Sequence, residues 1–162
     1  MIVVSDTSPL NYLVLIKAID VLPALFQHVY VPPSVIIELT RLKTPVVVRE
    51  WGASPPTWLQ IVAPTTRLPS TILLDAGEAD ALSLAKELCI SDVLIDERRG
   101  RNIARQEGLI PLPTLAVLER AAAEDLLELR PILDRLQQTN FRVPEEQILA
   151  ALQRNAARKR QS

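Results

Sequence analysis

Short apolar segments alternate with helical segments along this chain of 162 residues, and this alternation restricts its possible folds. We predict short strands at residues 2–5, 29–31, 59–62, 93–95 and 109–110, with helices between them. Strands that alternate with helices are typical of a parallel sheet with helices on both faces. The sequence therefore predicts an α/β fold.

Two of the predicted strands run directly into an aspartate. Residues 2–5 precede Asp6, and residues 93–95 precede Asp96. Residues just past the C-terminal ends of parallel strands face the crevice where ligands bind, so both acids are expected at one site. Aspartate also commonly caps the helix that follows a strand. That alternative is weaker for Asp6, because Ser8 and Pro9 offer a better cap and first helical position, and it stays open for Asp96.

Two glutamates lie on or beside the apolar faces of predicted helices. In the helix that begins near Asp75, Glu78 lies four residues before Leu82, on the stripe that should be buried. In the helix from 33 to 42, Glu38 borders the apolar stripe and can reach a cleft. Each glutamate has a simpler alternative. Glu78 has the capping-box spacing with Asp75, and Glu38 can be a solvated rim residue.

The composition limits the chemistry of such an acidic site. One histidine (His28) and one cysteine (Cys89) exclude paired-histidine catalysis and a multi-cysteine zinc site. The four glycines form no phosphate-binding motif. Carboxylates in one pocket would repel each other unless a cation joined them, and oxygen ligands favour Mg²⁺ or Mn²⁺. A two-metal site of that kind activates water and stabilises the leaving oxygen in phosphodiester cleavage.

The order and spacing of the acids resemble those of the PIN-domain family of metal-dependent ribonucleases. The matching residues, each within its own short motif, are Asp6, Glu38, Glu78 and Asp96. Residues 96–101 and 114–118 look like the branch formed by the toxins of VapBC toxin–antitoxin pairs. The resemblance runs from residue 2 to about residue 130. Residues 131–162 are predicted to be a C-terminal helical extension with a polar tail, within a single domain spanning residues 1–162.

The resemblance implies a five-stranded parallel sheet and an endonuclease that cleaves RNA with Mg²⁺ or Mn²⁺. The four acids would be both its catalytic and its metal-binding residues. It also implies a homodimer and a cognate antitoxin protein that inhibits the enzyme. No apolar run approaches the roughly 20 residues that span a bilayer, and no basic segment precedes the first apolar stretch. We therefore expect a cytoplasmic protein without membrane contact.

Basic residues cluster next to the second aspartate. Arg98, Arg99 and Arg101 follow Asp96 and would hold RNA phosphates beside the acidic centre, although a solvated helix face is the alternative. Two other functions stay open. One is a catalytically silent PIN-like module that only binds protein. The other is an aspartyl-phosphate phosphatase, which needs a second acid where Ser8 stands.

Overall fold

The computed structural model describes residues 1–161, and its centre is one parallel sheet of five strands. Their order across the sheet is β3-β2-β1-β4-β5, and every neighbouring pair is parallel. The predicted α/β class with a central parallel sheet is confirmed. The strands are β1 (Ile2–Ser5), β2 (His28–Val31), β3 (Leu59–Ile61), β4 (Asp92–Leu94) and β5 (Ile110–Leu112).

Nine helices surround the sheet in the described part of the chain, together with a 3₁₀ turn at Pro69–Thr71. They are α1 (Thr7–Leu15), α2 (Val21–Leu25), α3 (Pro33–Leu39), α4 (Val46–Ala53), α5 (Ala76–Glu87), α6 (Arg98–Gln106), α7 (Thr114–Ala123), α8 (Leu129–Gln137) and α9 (Glu145–Gln161).

Successive strand residues divide the core into two parts because side chains alternate between the faces of a sheet. Val3 and Leu94 pack into the larger core with residues of α1, α7 and α8. Val4 and Val93 pack into the smaller core with residues of α5 and α6. All four valine and leucine side chains are fully buried, so both faces of the central strands are covered.

The strand order places a crevice beside β1. The chain builds β2 and β3 on one side of β1 and then crosses to β4 on the other side. Such a change of direction opens a crevice at the C-terminal ends of the strands. Asp6 directly follows β1, and its backbone N–H donates to the Leu94 carbonyl of β4 at 2.9 Å. The first aspartate therefore lies at this crevice.

Three helix boundaries differ from prediction near the candidate acids. Helix α1 begins at Thr7, so Asp6 and not Ser8 holds the N-cap position. Pro9 is accommodated in the first turn because the first four N–H groups of a helix have no intrahelical acceptor. Helix α3 ends at Leu39 instead of residue 42. Helix α6 begins at Arg98, with Glu97 and not Asp96 at its N-cap, so Asp96 belongs to the loop.

The C-terminal segment packs as helices against the sheet's larger core. Leu129 and Leu136 of α8 are buried there, as are Ile148 and Ala151 of α9. The segment predicted as a polar tail is helical through Gln161, and its last residue, Ser162, lies outside the described residues. Within residues 1–161, no helix combines the length and apolar character needed to cross a bilayer.

Candidate acidic site

Asp6 is the most deeply buried acid at the crevice. Its side chain is only 3% exposed, and its Oδ1 atom has no hydrogen-bond partner. Burial raises the pKa of Asp6 well above its usual range, a hydrogen bond from the Thr7 backbone N–H opposes that rise, and the charges of Glu78, Asp75 and Glu38 add to it. Although Asp6 occupies the N-cap position of α1, its side chain makes no capping hydrogen bond. A buried carboxylate oxygen without a partner, such as Oδ1, is costly unless a cation or proton satisfies it.

Glu38 reaches the same crevice from α3. It is half-buried, and the Thr7 hydroxyl donates a hydrogen bond to its Oε2 atom. The backbone N–H of Gly77 donates to Oε1 at 3.0 Å. A Cβ atom at position 77 would lie 2.7 Å from Glu38 Oε2, so glycine makes room for the carboxylate. Contacts from α1 and α5 thus fix the position of an acid that α3 supplies.

Asp75 is the third acid of the group. It is the N-cap of α5, and its Oδ1 atom accepts a 2.9 Å hydrogen bond from the backbone N–H of Glu78. The predicted capping interaction is therefore present. Asp75 is exposed, in contrast to Asp6, so the group extends from the buried crevice to the surface.

Asp6, Glu38 and Asp75 form a set of acids with the spacing of a cation site. One carboxylate oxygen from each lies within 4.8 Å of the other two. All three ligands are oxygen atoms, which suits hard cations such as Mg²⁺ or Mn²⁺. The unpartnered Oδ1 atom of Asp6 is a further sign of fit, because a cation would supply its missing partner. These residues therefore fit a divalent metal.

Glu78 lies next to this set but is not part of it. Its side chain is 6% exposed, as its position on the apolar stripe predicts, and its Oε2 atom has no hydrogen-bond partner. Burial raises the pKa of Glu78 to about 8, and a hydrogen bond with the Asp75 side chain contributes to that rise. A Cβ atom at Gly100 would lie 2.7 Å from Glu78 Oε2, so α6 approaches this carboxylate closely.

Asp96 lies outside the set of three, on the β4 side of the crevice. Its Oδ1 atom accepts a hydrogen bond from the Thr114 backbone N–H, and its Oδ2 atom accepts one from the Thr114 hydroxyl, each at 2.8 Å. Burial raises the pKa of Asp96, whereas its hydrogen bonds with Thr114 and Ser8 and the charge of Arg101 oppose that rise. Thr114 therefore fixes the position of the Asp96 carboxylate, as Thr7 and Gly77 fix that of Glu38.

The structure thus brings together two of the four predicted acids and adds one that the sequence interpretation treated only as a cap. Asp6 and Glu38 meet, Glu78 flanks them, and Asp96 is held separately by Thr114. Asp75 was missed because its capping role accounted for it fully. Its position directly before α5, at the same edge of the sheet, was the signal that could have identified it.

The three predicted RNA-binding arginines occupy the first turns of α6. Arg98 and Arg99 are exposed, and Arg101 is half-buried with an Nε atom that has no hydrogen-bond partner. The charge of Arg101 acts on Asp96, so this arginine lies close to the acid that precedes α6. The basic turn therefore borders the crevice on its β4 side.

Comparison with known proteins identifies the family. Searches among curated proteins and among solved structures found no match to the chain. The family model DUF3368, described as a PIN domain, matches residues 2–157. PIN domains are generally metal-dependent nucleases, and the acidic set described above agrees with that class. Since the match covers nearly the whole chain, the protein belongs to this PIN-domain family.

Proposed function

We propose that this protein is a metal-dependent endoribonuclease that uses Mg²⁺ or Mn²⁺. The observation that carries the proposal is the set formed by Asp6, Glu38 and Asp75, whose oxygens lie within 4.8 Å of one another. A structural role explains this set poorly, because three carboxylates without a cation repel each other and Asp6 is buried. Retaining such a group makes physical sense if it binds metal.

Each acid has a proposed role in the site. Asp6, Glu38 and Asp75 would hold a divalent cation, and Glu78 and Asp96 would complete the metal-binding and catalytic acids on either side. When bound, such a cation supplies an activated water and stabilises the charge that develops on the leaving oxygen.

Neighbouring residues would keep the acids in position. The Thr7 hydroxyl and the Gly77 N–H orient Glu38, and Thr114 orients Asp96 through two hydrogen bonds. Ligand-orienting hydrogen bonds of this kind typically affect metal affinity or activity by about 10–100-fold. The site is therefore expected to depend on residues that never touch the metal.

RNA is the proposed substrate, and Arg98, Arg99 and Arg101 are its proposed phosphate contacts. All three lie in the first turns of α6, shortly after Asp96, and would hold the RNA backbone near the acidic set. A local basic rim suffices for this purpose although the whole chain has a net charge of −1. The resemblance of residues 96–101 and 114–118 to VapBC toxins supports RNA over other phosphodiesters.

The same resemblance supports a biological role as the toxin of a toxin–antitoxin pair. In that role the protein would act in the cytoplasm as a homodimer, and a cognate antitoxin protein would inhibit it. Expression of the wild type alone should then slow growth, whereas expression of Asp6→Asn at the same level should not. Equal growth inhibition by both proteins would contradict the toxin role without bearing on RNA cleavage in vitro.

Cleavage of RNA by the purified protein tests the proposed activity. Wild type should cut single-stranded RNA internally when Mg²⁺ or Mn²⁺ is added and should be inactive in EDTA. Asp6→Asn and Asp75→Asn should each lose at least about 100-fold in rate. Asp134→Asn, which changes an exposed acid of α8, is the matched control and should cleave like wild type.

Two outcomes would favour the alternatives. A wild type that binds neither metal nor RNA, with no difference from Asp6→Asn, would indicate a silent protein-binding module. Release of phosphate from a monoester would indicate a phosphatase, although Ser8 occupies the position where that chemistry needs its second acid.

A further inference from the structure

A cavity opens between the turn that precedes α6 and the C-terminal extension. Its volume is about 630 Å³. Asp96 and Arg98 line it at the start of α6, and Phe141 and Arg142 line it from the C-terminal extension. Asp96, one of the proposed catalytic acids, is part of the lining, so the cavity adjoins the acidic site at this residue. We call this cavity the extension cleft.

The wall that the extension contributes is fixed to the body of the domain. The Tyr12 hydroxyl of α1 donates a 2.9 Å hydrogen bond to Asn140 Oδ1. The Tyr12 and Phe141 rings meet edge to face, with centroids 4.8 Å apart and planes at 77°. The Phe141 backbone N–H donates to Thr139 Oγ1 at 3.1 Å, which orders the loop before α9. The cleft is therefore preformed, with two half-buried aromatic rings in its lining.

The charges that line the extension cleft leave a basic excess. Arg154 is paired with Glu119 through two hydrogen bonds of 2.8 and 2.9 Å. Arg101 lies near Asp96, yet its buried Nε atom has no partner. Arg98 and Arg142 form no ion pair within residues 1–161. Of the acids in the lining, Glu119 pairs with Arg154 and Asp96 lies near Arg101, so only Glu97 remains to balance the charges of Arg98 and Arg142. A ligand that fits this surface carries negative charge.

We propose that the extension cleft binds the nucleotide next to the scissile phosphate of a single-stranded RNA. The base would lie against the Phe141 and Tyr12 rings, and its phosphate would contact Arg98 and Arg142. This inference rests on the proposed ribonuclease function and adds a substrate-binding site to it. It also gives the C-terminal extension a role, because residues 140–144 build a wall that the sheet and its acids do not provide.

Size and chemistry favour a nucleotide over a peptide segment. The cavity has a volume in the usual range for small-molecule sites, about 300–1,000 Å³. Single-stranded nucleic acids are bound by aromatic rings that stack on bases together with cations that follow the backbone. The extension cleft combines both features and shares Asp96 with the acidic site. An RNA strand held at Asp96 would therefore place a neighbouring nucleotide in the cleft.

Binding of a short fluorescein-labelled RNA, measured by anisotropy in EDTA, tests the proposal without requiring cleavage. Phe141→Leu keeps an apolar side chain but removes the ring, and we expect roughly fivefold or greater loss of affinity. Arg142→Ala should weaken binding and lower the slope of log Kd against log salt by about 0.7. Arg130→Ala, an exposed arginine of α8 outside the cleft, is the matched control and should leave both quantities unchanged.

A second experiment measures how the wild-type protein binds RNAs that each lack the base at one position. Because only the RNA is changed, the result does not depend on whether a protein variant folds. We expect one or two adjacent positions at which the missing base weakens binding as much as Phe141→Leu does. In Phe141→Leu the same abasic position should have no further effect. The proposal would be overturned if the wild-type protein bound every abasic RNA as tightly as the intact RNA. It would also be overturned if both cleft variants bound intact RNA as tightly as the wild type; the cleft would then be a candidate site for a protein partner.

The two proposals fail in different ways. RNA that binds as predicted in EDTA but is never cut with Mn²⁺ would remove the ribonuclease activity and leave the nucleotide site intact. Metal-dependent cleavage that is unaffected by changes at Phe141, at Arg142 and at the abasic positions would support the ribonuclease activity and exclude the nucleotide site.

Discussion

Replacement of Asp6 by asparagine should stabilise the protein without metal, and the variant should lose that advantage when metal is added. Asp6 is 3% exposed, and its Oδ1 atom has no partner. Burial raises its pKa, and three neighbouring carboxylates raise it further. Asparagine has nearly the same shape but no charge, and its amide can donate hydrogen bonds to those carboxylates. In EDTA the substitution therefore removes a buried carboxyl group whose ionised form is disfavoured by its surroundings.

The size of each effect follows from the environment of the side chain. A buried polar group without a partner costs about 1–3 kcal/mol, so Asp6→Asn should gain about that much stability in EDTA. When the metal concentration is about 100 times its Kd, binding stabilises the wild type by about 2.7 kcal/mol. The variant loses a charged ligand, so it should gain little from metal. The order of stability should therefore reverse, or the difference should vanish, when metal is added.

Urea unfolding at pH 7 in EDTA and in saturating Mn²⁺ measures both quantities. Asp134→Asn should behave like wild type in both conditions, because its side chain is exposed. For a domain of this size, 1 kcal/mol corresponds to roughly 2–4 °C in melting temperature, so thermal scans give an independent check. An Asp6→Asn protein that is less stable than wild type in EDTA, and equally stabilised by Mn²⁺, would refute the reasoning.

Three further predictions concern the residues around Asp6. Gly77→Ala would place a Cβ atom 2.7 Å from Glu38 Oε2 and so displace this carboxylate. Calorimetry should show roughly tenfold weaker Mn²⁺ binding, with the free energy of unfolding preserved. Unchanged Mn²⁺ affinity would contradict the role of Gly77 in positioning Glu38. Thr114→Val removes the hydroxyl that donates to Asp96 and should lower the unfolding free energy by about 1–3 kcal/mol, whereas Thr114→Ser should restore it. The pKa of Glu78 is raised from 4.5 to about 8, so between these values the folded state holds a proton that the unfolded state releases. The unfolding free energy in EDTA should therefore fall as pH rises from about 5 to 8. Glu78→Gln should flatten this decline, and identical profiles for the two proteins would count against it.

The sheet could be predicted because its signals are local. Each strand contains at least two apolar residues. Val3 and Val4 alternate between two covered faces of the sheet, which requires both to be apolar. Helix ends were harder to predict. Ser8 and Pro9 form a favourable start for a helix, yet α1 begins one residue earlier, at Thr7. This earlier start is possible because Pro9 fits in the first turn and β1 ends directly before Asp6.

The candidate site was only partly predictable because its contacts join distant segments. The burial of Glu78 followed from helical periodicity, and the position of Asp6 followed from the end of a strand. The two hydrogen bonds from Thr114 to Asp96 span 18 residues and depend on how β5 leads into α7. Similarly, Tyr12 and Asn140 lie 128 residues apart in the sequence, so no local sequence pattern predicts the extension cleft.

Mn²⁺ soaked into crystals of the protein and located by anomalous diffraction is the most direct test of the central claim. We predict a strong anomalous peak bounded by carboxylate oxygens of Asp6, Glu38 and Asp75, and its loss in Asp6→Asn crystals. Crystals saturated with Mn²⁺ that show no peak among these three side chains would contradict the account of this site as a metal centre.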